Sequence, residues 1–352
     1  MRAFAPLLFA ALLVAGCLSS PASDDATPGA DAALPAVPQV DVESFLKEYN
    51  DVTAKYGDRA NNGPEHEGAR HYFEQEFAKL GLTVWRHDFT DGIPQANIVG
   101  IQWGTLHRDQ VVVVGGHYDT FSDDCIATEA ADQACPGRQA TNGVYDDGSG
   151  TMLTMAMARL FAPLDTPFTV AYVMFDGEER GLQGSAAFVD AFNGGETPFG
   201  PDAALRAAID VDMFGLNWPG VSTPILFSHT SKAMEGVVEA ARKELGVPDD
   251  MVVYGDASGG GGSDFASFVK DTPTGFFSSD MGQEGLPMVN EGTTTPSIPG
   301  VYPWWHLADT WETMTAMAGG EDNLAKGFQV GAQLEADLLY ACAVDPAFDP
   351  AN

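Results

Sequence analysis

VVVVGGHYDT, Val111 to Thr120, is the stretch on which the fold turns. Its run of valines reads as a buried strand, because a strand covered on both faces carries a continuous apolar run rather than an alternating one. Two glycines follow, then a histidine and an aspartate one residue apart. FTVAYVMF (Phe168–Phe175) repeats the pattern and runs straight into DGEERG. TVWRHDF, ANIVGIQW, AAIDVDMFG, PILFSH, MVVYG and TGFFSS read as further strands. Helical spacing marks VESFLKEYNDVTAKY, EHEGARHYFEQEFAKLGL, TMLTMAMARLF, KAMEGVVEAARKELG and NLAKGFQVGAQLEADLLYA, with Gly81 closing the second of these. Strands alternating with helices predict an α/β three-layer sandwich: a central, mainly parallel mixed β-sheet flanked by helices.

The chain of 352 residues is 45% hydrophobic, enough for one large core. It carries 17 Lys and Arg against 50 Asp and Glu, a formal charge of −33. Such a chain repels phosphate backbones, so nucleic acid is excluded as a partner, and most of the carboxylates read as a solvated, salt-adapted surface. At the amino end Arg2 precedes an apolar run too short to span a bilayer. The run ends in Leu13-Val14-Ala15-Gly16-Cys17, which resembles the lipobox of prokaryotic lipoproteins. That resemblance implies a signal peptide at residues 1–16 and a lipid on Cys17, the one expected contact with a membrane. The alternative is an ordinary secretory peptide; either way the protein is expected to be exported. Residues 17–39, rich in Ala, Pro, Asp and Ser, read as a disordered tether. The domain is expected over residues 40–345, with a tail at 346–352. Cys125 and Cys135 could close a small loop, since export permits disulfides, and Cys342 reads as a buried thiol. With no CxxC pair, a zinc site built on thiolates is disfavoured.

Ligands of open α/β sheets gather at the carboxyl ends of strands, and five segments place metal-binding residue types there. His117 and Asp119 share one side of an extended strand, so the carboxylate can hold the ring of the imidazole. Asp146 and Asp147 lie in the glycine-rich NGVYDDGSG before a helix, where one can cap while the other binds metal. Glu178 and Glu179 follow the buried strand directly; like charges this close raise one pKa unless a cation separates their tasks. Asp212 ends IDVDMFG with Asp210 on the same alternation, and His306 stands beside aromatics in YPWWHLADT.

Taken in order, these segments resemble the zinc aminopeptidase family of co-catalytic metallopeptidases, which includes bacterial leucyl aminopeptidases and the glutamate carboxypeptidase group. The resemblance spans Val42 to Ala343. It implies two zinc ions bridged by Asp146, with His117 and Asp212 on one and Glu179 and His306 on the other. Cobalt or manganese would suit the same ligands. It further implies Glu178 as general base, Asp119 as the outer partner of His117, and a cis Asp146–Asp147 peptide. The expected activity is removal of N-terminal residues from peptide substrates through a metal-bridged hydroxide. A carboxypeptidase or dipeptidase of the same family is the nearest alternative, and an inactive binding ectodomain the more distant one. Scarce basic residues favour recognition of an amine over a carboxylate. Two departures stand out. Asp309-Thr310 follows His306 one residue sooner than is usual, which could shift Asp309 from its place behind the site. Phe265 follows Ser263-Asp264 where the family often has histidine. The sequence leaves the side-chain preference and the oligomeric state open.

Overall fold

In a computed structural model, residues 34–61, 63–121, 142–216, 224–279 and 309–352 are described. Cys17, the signal segment, Cys125, Cys135, Trp304, Trp305 and His306 therefore lie outside the described residues. The folded unit described here runs from Ala36 to Asn352. Eight strands form one sheet: β1 (Thr83–Asp91), β2 (Ile93–Gln102), β3 (His107–His117), β4 (Phe168–Phe175), β5 (Ala204–Val211), β6 (Ile225–His229), β7 (Val252–Asp256) and β8 (Thr274–Ser279). Their order is β1-β2-β4-β3-β5-β8-β6-β7. The central run β4-β3-β5-β8 is parallel, while β1, β2 and the β8–β6 pairing are antiparallel. The expected α/β sheet architecture is thus present.

Seven α-helices are described: α1 (Val42–Lys55), α2 (His66–Lys79), α3 (Gly148–Phe161), α4 (Gln183–Asn193), α5 (Lys232–Glu244), α6 (Trp311–Ala318) and α7 (Glu321–Ala343). Side-chain caps start several of them, among them Asp41 on Ser44, Ser231 on Met234 and Thr310 on Thr313. The sheet has core on both faces, which explains the continuous apolar strands. Val112, Val114, Ile209 and Val211 face a large cluster with residues of α1, α3 and α7. Val111, Val113, Ala171 and Val173 face a smaller one with Phe188, Phe192 and Phe268. β4 is buried at every position.

The two glycines before His117 are explained by close approach. A Cβ on Gly115 would stand 2.5 Å from the Phe175 ring, and one on Gly116 2.7 Å from Asp147 Oδ2. On Gly150, at the start of α3, it would stand 1.8 Å from the Val211 carbonyl. Bare backbone here lets β3, β5 and the first turn of α3 touch. Their ends, which carry His117, Asp212 and the Asp146-Asp147 pair, are drawn into one small volume.

Candidate active site

His117 ends β3 and is buried. Its Nδ1 lies 3.1 Å from the Asp119 carbonyl and 3.5 Å from Asp119 Oδ1. With Nδ1–H donated there, Nε2 is the ring nitrogen left to face the other carboxylates. Nε2 is 3.0 Å from Asp146 Oδ1, 3.7 Å from Asp212 Oδ1 and 3.8 Å from Glu178 Oε2. Neither His117 Nε2 nor Asp212 Oδ1 has a partner in hydrogen-bond geometry, although both are buried.

The paired aspartates divide their work, and their peptide bond is cis. Asp147 caps α3: its Oδ1 accepts from the Gly150 N–H at 2.7 Å and the Ser149 hydroxyl at 3.0 Å. Its Oδ2 accepts from the His117 N–H at 3.2 Å. A ligand atom of Asp147 also lies within 4.8 Å of those of His117 and Asp212. Both of its oxygens are nevertheless engaged by the protein, whereas Asp146 turns its carboxylate to His117 Nε2. Asp309 is in place despite the short spacing after His306. It is buried, and its two oxygens accept from the N–H groups of Tyr145 and Asp146, each at 2.8 Å.

Asp119 has a second task that the sequence did not disclose. Its carboxylate accepts from the backbone N–H of Glu178 at 3.1 Å and of Glu179 at 3.3 Å, so it holds the turn after β4. Gly177 enters that turn at φ 71°, a backbone region open to glycine. Asp210, on the same alternation as Asp212, accepts from the Ser263 hydroxyl at 3.1 Å and the Phe265 N–H at 2.8 Å. It thereby fixes the turn that presents Asp264. Asp264, also missed as a site residue, is fully buried. The Ser-Asp pair after the glycine run was its only signal.

The charges explain what such a site requires. Burial, then the carboxylates of Asp212, Asp264 and Asp146, push Glu178 up to about 10 against the pull of His117. Burial and neighbouring acids push Asp264 up to about 7 and Glu179 well above the carboxylate range. Burial alone would lower His117, but Glu178, Asp119, Asp146 and Asp212 raise it well above its ordinary value. Buried carboxylates gathered round one imidazole are costly without positive charge to answer them. Imidazole and carboxylate donors without thiolate, with one imidazole nitrogen placed among the carboxylates, fit divalent cations of the zinc type, which displace the ring proton on binding. His306, the remaining expected ligand, lies outside the described residues.

Comparison with known proteins agrees. A sequence model of peptidase family M28 matches residues 97–318. A probable zinc metalloprotease of Pyricularia oryzae is 35% identical over 97 residues, 28% of this chain and 18% of the relative. Aminopeptidase YwaD of Bacillus subtilis is 24% identical over 241 residues, 67% of this chain and 43% of the relative. The matches thus span less than half the length of these curated relatives. Among solved structures, a zinc aminopeptidase from Bacillus subtilis superposes with a TM-score of 0.66 at 13% identity, covering 90% of this chain and 98% of that one. At that identity the likeness speaks for the fold.

Proposed function

This chain belongs to peptidase family M28, and on that premise we propose that it is an exported zinc exopeptidase that removes N-terminal residues from peptides. The observation that carries the reading is the convergence of Asp146, Glu178 and Asp212 on the unpartnered His117 Nε2. In this reading His117 and Asp212 would hold one zinc ion and Glu179 and His306 the other, with Asp146 a ligand common to both. Bound there, zinc supplies Lewis-acid charge and a water acidified toward neutrality. Glu178 takes a proton from the attacking water on its carboxylate and returns it to the leaving amine. Asp119 keeps Glu178 and Glu179 in register through their N–H groups, Asp147 seats α3 against His117, and Asp309 steadies Asp146 from behind.

Amine recognition is the natural specificity of so acidic a site. Arg59 and Arg70 spend their donors on the protein's own oxygens, whereas Arg180, next to Glu179, has a buried Nε without a hydrogen-bond partner. The names of the Bacillus relatives, both aminopeptidases, accord with amine recognition. Export, by way of the 1–16 segment and a lipid on Cys17, is proposed on the sequence alone.

The test is metal content by elemental analysis, with hydrolysis of aminoacyl-nitroanilides before and after chelation. Free and amino-blocked dipeptides are run alongside. Two zinc ions, chelator-sensitive release and rejection of amino-blocked substrates are expected. Cleavage of the amino-blocked set would reassign the enzyme as a carboxypeptidase, and folded protein without metal or turnover would leave a binding ectodomain.

A further inference from the structure

One side chain from outside the matched residues 97–318 ties the candidate ligand loops together. Arg59 lies between α1 and α2 and is 2% exposed. Its Nε donates to the Tyr118 carbonyl at 2.7 Å. One Nη donates to the carbonyls of Tyr56 and Asn142, each at 2.9 Å, and the other to the Gly143 carbonyl at 2.8 Å. Its backbone N–H donates to Thr120 Oγ1 at 3.1 Å. The guanidinium thus spans the loop that carries His117 and Asp119 and the loop that leads into Asp146. Four carbonyl acceptors shared by one side chain suit the rigid, many-donor fork of arginine, which a lysine ammonium does not reproduce.

A second buried arginine extends the arrangement. Arg70, on α2, donates through Nε to the Tyr118 hydroxyl at 2.5 Å and through Nη2 to Asp176. Asp176 also meets His66 Nε2 at 2.9 Å and Asn61 at 3.2 Å, and it immediately precedes the Gly177-Glu178-Glu179 turn. Tyr118, flanked by His117 and Asp119, is therefore held at its carbonyl by Arg59 and at its hydroxyl by Arg70.

We propose that Arg59 is a positioning residue that fixes the distance between the His117 loop and the Asp146 loop, and so sets how tightly the site takes divalent cations. The proposal rests on the two-metal reading of the site. Two roles for this arginine predict opposite signs. As a mere counter-charge to the acids, Arg59 competes with a bound cation, so removing its charge tightens metal binding. As a brace, its loss lets the ligand loops drift and weakens binding.

The experiment titrates cobalt(II) into the metal-free full chain, followed by visible absorption and calorimetry, with thermal unfolding in parallel. The wild type is expected to take two equivalents. Arg59→Lys keeps the charge and loses the fork, and is expected to bind at least about tenfold more weakly, the loss typical of groups that support metal ligands. Arg59→Gln, without the charge, is expected to weaken binding as well. Arg59→Lys binding like the wild type, or Arg59→Gln binding more tightly, overturns the proposal. So does a lowered unfolding temperature with unchanged affinity, the mark of a purely structural part. Should neither variant fold in buffer, both are titrated beside the wild type in a stabilising osmolyte; weaker cobalt binding by the folded variants supports the brace and equal affinity refutes it. A wild type that fails to take two equivalents sinks the two-metal reading and the brace with it, whereas two equivalents in both wild type and Arg59→Lys at equal affinity sinks the brace alone.

Discussion

Replacing Glu335 by glutamine should stabilise the protein, by an amount that depends on pH. Glu335 lies on α7 at 1% exposure, and neither carboxylate oxygen has a hydrogen-bond partner. Burial, with the charge of Asp210 adding to it, pushes its pKa from 4.5 to about 8. The unfolded chain gives up this proton near pH 4.5, while the folded protein keeps it until about pH 8. The carboxyl therefore costs no ionisation energy below pH 4.5 and progressively more as the pH climbs to about 8. At pH 7 the gap above 4.5 corresponds to about 3 kcal/mol, at roughly 1.4 kcal/mol per pH unit. Above pH 8 the cost levels off at about 5 kcal/mol. Glutamine has the same shape and no charge, and its amide is as unpartnered as the protonated acid, so the difference isolates ionisation. Urea unfolding of both proteins between pH 4.5 and 8 reads it directly. The stabilities should coincide at the acid end and part by about 3 kcal/mol at pH 7. A constant offset, or a variant less stable at pH 7, refutes the reasoning, since it means the ionised carboxylate is favoured in the fold.

Glu178→Gln should retain its metal complement by elemental analysis and lose about 10²- to 10⁴-fold in turnover, the usual worth of a positioned general base; a variant within a few-fold of wild type removes Glu178 from that role. Asp309→Ala strands the buried N–H groups of Tyr145 and Asp146. At about 1–3 kcal/mol for each, urea unfolding should register a loss of about 2–6 kcal/mol, and cobalt titration should show weaker binding. Cation binding to metal-free protein at pH 7 should release protons, because Glu178 is held up at about 10 and His117 well above its ordinary value. Calorimetry in buffers of different ionisation enthalpy counts them, and heats that do not vary with buffer contradict the raised pKa values.

Much of this was legible in the chain because it is local. β4 runs from Phe168 to Phe175 as its apolar run indicates, and His117, Glu178 and Asp212 stand at strand ends where alternation and position both point to them. Helices α4 and α6 escaped. Leu182, in left-handed backbone at φ 60°, separates the glutamate turn from α4, and α6 is only 8 residues long. The supporting residues escaped for another reason. Apart from Tyr56, Arg59 meets its partners 59 to 84 positions away, Arg70 meets Asp176 106 away, and Asp309 meets Tyr145 164 away. A solitary arginine in a polar turn has no period and no spacing, so nothing local separates it from the solvated charges that surround it in sequence.

The kind of acceptor each arginine uses bears on why the acids stay available. Had Arg59 paired with Asp146 or Asp212, it would have neutralised the carboxylates that a cation needs. Its guanidinium goes instead to the carbonyls of Tyr56, Tyr118, Asn142 and Gly143. Arg70 spends its charge on Asp176, two residues short of Glu178, and on Glu67. Carbonyl acceptors let a cationic side chain fix backbone without cancelling ligand charge, and the exposed Glu67 and buried Asp176 absorb what Arg70 brings. Burial of unanswered carboxylates is unfavourable in the metal-free chain, and the arginines hold that geometry without relieving it. Relief is left to bound cations, which couples occupancy of the site to stability of the fold.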